Sequence, residues 1–456
     1  MQGKVDPRAT RNRETLSMRS VLVRTLAGLV LVVAAIVLTC GNVVLNRYVK
    51  GNAERAFDQA HAGFALKLGE LDYTLRANRL AAQSVTLSST GTIFRSGRIS
   101  LTGVRWTRLF RGRVALAELL STASLEATNL NLDFSEAHYG IRCAGLQASV
   151  PGSELIAVGC ELRPLLEDEA FFAADGYRAP RFHAVVPECR VSGLEYGEAL
   201  EGKAYRARLV HFSSPFFETL VNRDKLPKPF VKSPAMVHEA MAAIRAPVQI
   251  GTLTATNGLV KYCERLAVGA QPAVLTIGAV SLSAEGVANR GEAGAAIQVH
   301  GMGDLMNAGT IRVAMSIPIN PPDFSLHYSG SITAMDLPRL DAFLDIAEHT
   351  RIKSGTAQEA AFEIDVAAGH ARGQVRGIYK NLEIALLDKQ TGDDKGLNSR
   401  VASFFANVVK IRNANTPDML TGMKEGQVNY TRKPDDQFMQ FVWFALRTGV
   451  LDIISH

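Results

Sequence analysis

The chain has 456 residues, 47% hydrophobic and 21% charged, and a formal net charge of +6. That length holds two or three ordinary domains, or one extended repetitive one. Aromatics at 7% offer no stacking surface for nucleic acid, and the excess positive charge is local: Lys4, Arg8, Arg11, Arg13, Arg19 and Arg24 stand against Asp6 and Glu14 ahead of the first apolar segment. The remainder is close to neutral, so the basic balance reads as a topology signal, and no nucleic-acid partner is expected.

Residues 1–24 are a basic tail, expected to be cytoplasmic. Thr25–Leu45 follows without a single charge. At about 1.5 Å of rise per residue it reaches roughly 31 Å, the thickness of a bilayer's hydrocarbon core. Only Arg47 and Lys50 follow closely, so the spacing predicts a single-pass helix with its amino end inside and residues 46–456 on the far side. The competing reading is a cleaved signal peptide. Against it, the apolar run exceeds the usual core of about 7–15 residues, and Cys40-Gly41-Asn42 lacks a small-x-small cleavage pattern.

Ala53–Leu68 has helical spacing, with Ala56, Phe57, Ala60, Phe64 and Leu68 on one side. From about residue 70 the period becomes two, as in Leu71, Tyr73 and Leu75, and the region 46–214 reads as β-rich. Leu125–Phe134 alternates apolar and polar residues but slips phase at Asn129-Leu130. Leu253–Tyr262 slips in the same way around Asn257-Gly258, and similar slips occur at Gly103 and Gly193. Asn and Gly accept the positive φ that a bulge or tight turn needs, so the four segments read as a degenerate strand–turn–strand repeat.

Residues 215–247 hold five prolines around a helical run, Ala235–Arg245, and read as a linker. In 248–456, Asp336–Thr350 has an apolar helical face with Pro338 near its start. Ala361–Leu387 reads as two or three strands. Ser399–Lys410 and Phe438–Ile454 are predicted helices.

The cysteines Cys40, Cys143, Cys160, Cys189 and Cys263 contain no CxxC. Cys143 and Cys160 are candidates for a bridge, and buried free thiols fit the spacing equally well; a zinc site does not. No nucleophile elbow, phosphate loop or zincin pair is present, since His238-Glu239 is followed by Ala242. His211, His300 and His327 fall in strand-like stretches, and Asp393-Asp394 and Asp435-Asp436 in polar turns. No cofactor and no catalytic residue is assigned, and an enzyme is not expected. The apolar strand positions are more informative. Leu125, Ala127, Leu130, Leu132, Phe134, Leu253, Ala255 and Leu259 are candidate lipid contacts if the sheet stays open. A closed sandwich gives the same alternation.

The C-terminal stretch Gly373-Gln-Val-Arg-Gly-Ile-Tyr-Lys-Asn-Leu-Glu-Ile-Ala-Leu-Leu387 resembles the closing region of AsmA-like envelope proteins. The resemblance continues through Ser399–Lys410, Ile411-Arg-Asn-Ala-Asn415, Gly426–Arg432 and the Trp-containing Phe441–Gly449. It implies an anchored, elongated, curved, repetitive antiparallel β-sheet, mainly β with a few helices, whose groove shelters phospholipid acyl chains. It further implies a bacterial inner-membrane protein with a periplasmic body, serving lipid transfer and envelope biogenesis, with envelope proteins as further partners. About 20 strands would give a sheet of roughly 95 Å at most. A tether or assembly factor without lipid cargo is the alternative function.

Overall fold

The computed structural model describes residues 41–61, 63–105, 116–174, 176–226, 236–292, 294–319, 321–387, 411–417, 423–434 and 436–455. Most of the expected anchor, Thr25–Leu45, lies outside them, as does the helix expected over Ser399–Lys410. Among the described residues no helix is long and apolar enough to cross a membrane.

With 55% strand and 20% helix among the described residues, the protein is mainly β, built on one long curved mixed sheet. The first half holds β1 (Phe64–Lys67), β2 (Leu71–Thr74), β3 (Arg79–Ser89), β4 (Thr92–Thr102), β5 (Ser124–Phe134), β6 (Tyr139–Ser149), β7 (Glu154–Pro164), β8 (Pro180–Ser192), β9 (Tyr205–Ser213) and β10 (Phe216–Asn222). The second holds β11 (Val248–Arg265), β12 (Ala273–Ala288), β13 (Ala296–Leu305), β14 (Gly309–Pro318), β15 (Leu326–Ile332), β16 (Met335–Asp336), β17 (Thr350–Ala367), β18 (His370–Leu386) and β19 (Gly426–Thr431). Helices α1 (Lys50–Ala60), α2 (Leu116–Leu119), α3 (Asp168–Ala174), α4 (Tyr196–Leu200), α5 (Val237–Ala243), α6 (Asp341–Ala347) and α7 (Phe438–Ile454) fill the connections.

Three pairs of short strands (β1 with β2, β9 with β10, β15 with β16) run end to end along a shared neighbour, so the sheet has sixteen ladder positions. At about 4.8 Å per strand that is about 72 Å, shorter than the sequence suggested. The order follows the chain, and neighbours are antiparallel with one exception. β11 runs parallel to both β9 and β10. A parallel neighbour needs a long crossover, and the connection from β10 to β11 has the length for one, with α5 among its described residues. At the start of the expected linker over 215–247, Phe216–Asn222 is a strand paired with both β8 and β11.

The phase slips have a structural cause. Asn129 (φ 52°) sits opposite Ala144 between the paired residues Thr128↔Gly145 and Leu130↔Cys143. Ser84, Gly159, Ser214, Asn257 and Ala279 also have positive φ and lie at the same level of their strands. Together they form a crease across β3–β12. One left-handed residue in a strand turns the later side chains over, so apolar residues stay on one face on both sides of it. Gly103 (φ 73°) and Gly193 (φ 68°) instead turn the chain just past the ends of β4 and β8.

Both outer edges of the sheet are occupied by helical side chains. Asn46 accepts from the Leu71 N–H and donates to the Leu71 carbonyl, each at 2.7 Å, and Asn42 accepts from the Tyr73 N–H at 2.9 Å. Glu54 and Asp58 of α1 accept from the N–H groups of Leu68 (2.7 Å) and Leu66 (2.8 Å). At the far edge, Asp452 and Thr448 of α7 accept from Gln427 (2.8 Å) and Asn429 (3.1 Å). The amphipathic helix expected to reach Leu68 stops at Ala60, because Phe64 already pairs with Ser89.

Helices α5, α6 and α7 cover the apolar face in the second half. Phe441 and Ala445 of α7 are fully buried against Tyr328, Ile364, Val375 and Val428. Gly449 allows this approach, since a Cβ there would run into Val375 and Val428. Phe343 of α6 lies 6.0 Å from the Tyr262 ring, and Val237 of α5 packs on Ala284, Ile297 and Ile317. The predicted helix over Asp336–Thr350 is shorter: a 3-10 turn, Leu337–Leu340, leads into α6, and Thr350 opens β17.

Candidate functional site

Cross-strand register assembles the apolar residues into rows. One row runs Leu80, Leu101, Leu125, Ala148, Leu155, Val191, Val210, Leu253 and Ala284, from β3 to β12. It continues through Val299, Met315, Tyr328 and Ile364 into the core beneath α7. The next row joins Ala82, Ile99, Ala127, Leu146, Ala157, Cys189, Phe212, Ala255 and Leu282. Beyond the crease, Leu87, Phe94, Leu132, Ile141, Leu162, Ala184, Phe217, Val260 and Ile277 form another.

Most of these residues over β3–β10 are half-buried, and Ile141 and Phe217 keep 37% and 39% of their surface exposed. In β17 and β18 the same face is closed, with Ile364 at 0% and Val375 at 4%. The opposite face is polar, carrying pairs such as Glu126↔Gln147 and Asp133 with Arg95 at 3.0 Å. This is a one-sided sheet whose apolar side is helix-covered in one half and bare of helices, among the described residues, in the other.

The sequence candidates sort accordingly. Leu125, Ala127, Leu130, Leu132, Phe134, Leu253 and Ala255 share the apolar face, on neighbouring or nearby strands. Leu259 falls on the other face, opposite Phe216; Val260 takes the place in the row. The reason is the left-handed turn at Asn257, which moves the apolar set from odd to even numbers just before that position. Ile141, Leu162 and Phe217 escape a reading of single segments because only strand pairing places them beside Leu132.

Cys143 and Cys160 stand directly opposite on β6 and β7 and form a disulfide, beside Leu130 on the apolar face. Cys189 and Cys263 are free thiols, and burial pushes Cys263 up to about 11. On the polar face, Glu161 accepts from His183 at 2.9 Å and pairs with Arg142. Burial alone would raise its carboxyl, but these two neighbours outweigh burial and hold it below the usual range. His211 bonds Thr254 at 2.8 Å and His327 bonds Asp365 at 2.8 Å, both within the sheet. Asp436, expected in a solvated turn, is 3% exposed and accepts from the Tyr430 hydroxyl at 2.9 Å.

Neither protein-family models nor curated proteins give a match to the chain, so its chemistry is argued from this geometry alone.

Proposed function

We propose that the protein is an inner-membrane-anchored periplasmic factor of the AsmA-like type that binds or transfers phospholipid in support of envelope biogenesis. The observation that carries this reading is the apolar face over β3–β10, continuous with a helix-covered core yet, among the described residues, without a helix of its own. Apolar surface left facing water is costly, and an acyl chain laid along it gains roughly 0.8 kcal/mol for each methylene withdrawn from water. From Leu125 to Phe134 the face is about 30 Å wide, enough to hold chains across the crease as well as along it. A tether without lipid cargo finds its support in the second half, where α5–α7 close an apolar core.

The two readings part on cargo. Full-length protein extracted in mild detergent and stripped of free lipid is expected to retain at least one phospholipid per chain, measured by phosphorus content and mass spectrometry. Lipid-free protein in that assay removes the transfer reading and leaves the tether.

A further inference from the structure

One helix runs unbroken from Gly41 to Ala60, through a π-turn over Leu45–Val49 into α1. Its side chains meet the first edge of the sheet in order: Asn42 bonds Tyr73, Asn46 bonds Leu71, Glu54 bonds Leu68 and Asp58 bonds Leu66. From Asn42 to Asp58 the helix rises about 24 Å, at about 1.5 Å per residue. From Leu66 to Tyr73 the edge covers about 23 Å, at about 3.3 Å per residue. The two spans agree, so the helix axis lies along the strands rather than across them.

The π-turn holds this alignment. At about 100° per residue, a uniform α-helix would turn Glu54 about 80° away from Asn46. The wider turn absorbs one extra residue, and all four side chains stay toward the edge.

The helix and the expected anchor share residues, since Gly41–Leu45 also end the uncharged stretch Thr25–Leu45. Asn42, bonded to β2, lies within that stretch, so no stalk parts the sheet from the bilayer. We infer that the strands beside the anchor stand along its axis, and that the long axis of the sheet therefore runs over the membrane surface instead of away from it. The inference rests on the anchor in the function proposed above. The surface set against lipid is the outward side of this helix with the adjoining strand ends. Val43, Val44 and Tyr48 keep half or more of their surface exposed, as does Leu75 in the turn after β2. Arg76 and Arg105 are exposed at the same end. Apolar side chains with a tyrosine and arginines suit the boundary between acyl chains and anionic headgroups. Sheet twist turns the later strands about the long axis but leaves the axis itself in place. The apolar face over β3–β10 thus stays near the leaflet along its whole length, and lipid reaches it without travelling the length of the sheet.

The test uses the full chain in vesicles of phosphatidylcholine and phosphatidylglycerol, with an energy-transfer acceptor on a fraction of the headgroups. The fluorescent residue acridonylalanine replaces one exposed side chain at a time. The positions are Leu75 at the anchor, Ile244 about 38 Å along the ladder, and Met439 on α7 at the far edge, about 72 Å along. Transfer to the bilayer is expected from all three. Transfer that falls from Leu75 through Ile244 to none at Met439 means a sheet projecting from the membrane, and overturns the inference. Vesicle flotation keeps the two readings apart. A chain that fails to float overturns the anchor and the orientation with it, whereas a floating chain silent at Met439 keeps the anchor and overturns the orientation alone.

Discussion

Asn129 and Asn257 are held at φ 52° and 53°, in the region where a Cβ crowds the backbone and Asn is tolerated better than alanine. Replacing either by alanine is expected to cost about 1 kcal/mol, read as a lower urea midpoint, while glycine should be nearly neutral. The paired variant Asn129→Ala/Asn257→Ala should show the sum, as the two sites are several strands apart. Glu161 offers a pH readout. Its carboxyl is held below the usual range, so its contribution is complete above that range and is lost as pH falls through the lowered value. The acid limb of stability against pH should therefore be shallower in Glu161→Gln; an unchanged limb would remove this pairing from the account.

At the scale of elements, α7 was legible to the residue, since Phe438–Ile454 is an apolar stretch with only Arg447 and Asp452 charged. Gly449 shows how tightly that helix is set on the sheet. Gly449→Ala is expected to destabilise by about 1–3 kcal/mol, through overpacking against the methyl groups of Val375 and Val428, with Trp443 fluorescence reporting the change. The slips at Asn129 and Asn257 were readable because they mark the alternation, but the strand–turn–strand expectation fails there, since each lies inside one continuous strand. The direction of β11 was not, because periodicity carries no sign; only its pairing with β9 and β10 decides it. A cavity of about 500 Å³ lined by residues of β19, α7 and the segments before β8, after β10 and before α7 was also hidden. Arg178, Arg223, Lys433 and Arg447 are far apart in sequence, and nothing in their local patterns announces that they meet.

For the whole molecule, the contrast between the covered and uncovered halves of one face is the decisive property. The same substitution should give opposite outcomes in the two. Ile364→Asp places a charge at a site with 0% exposure beneath α7 and is expected to prevent folding. Ile141→Asp, at 37% exposure, should leave the unfolding transition in place and abolish lipid retention. If Ile141→Asp unfolds the protein as Ile364→Asp does, the face over β3–β10 is a closed core and the transfer reading fails. Leu132, paired with Ile141, should follow it, whereas Leu259→Asp should affect neither property.

The side chains of Asn42, Asn46, Glu54 and Asp58 at one edge, and of Thr448 and Asp452 at the other, take up outward-facing N–H groups that a further strand would use. Copies of this chain are thereby denied the commonest route to a β-polymer, edge-to-edge strand addition. On the proposed lipid-transfer reading, a path longer than about 72 Å then has to come from docking onto other proteins or from approach of the membranes themselves.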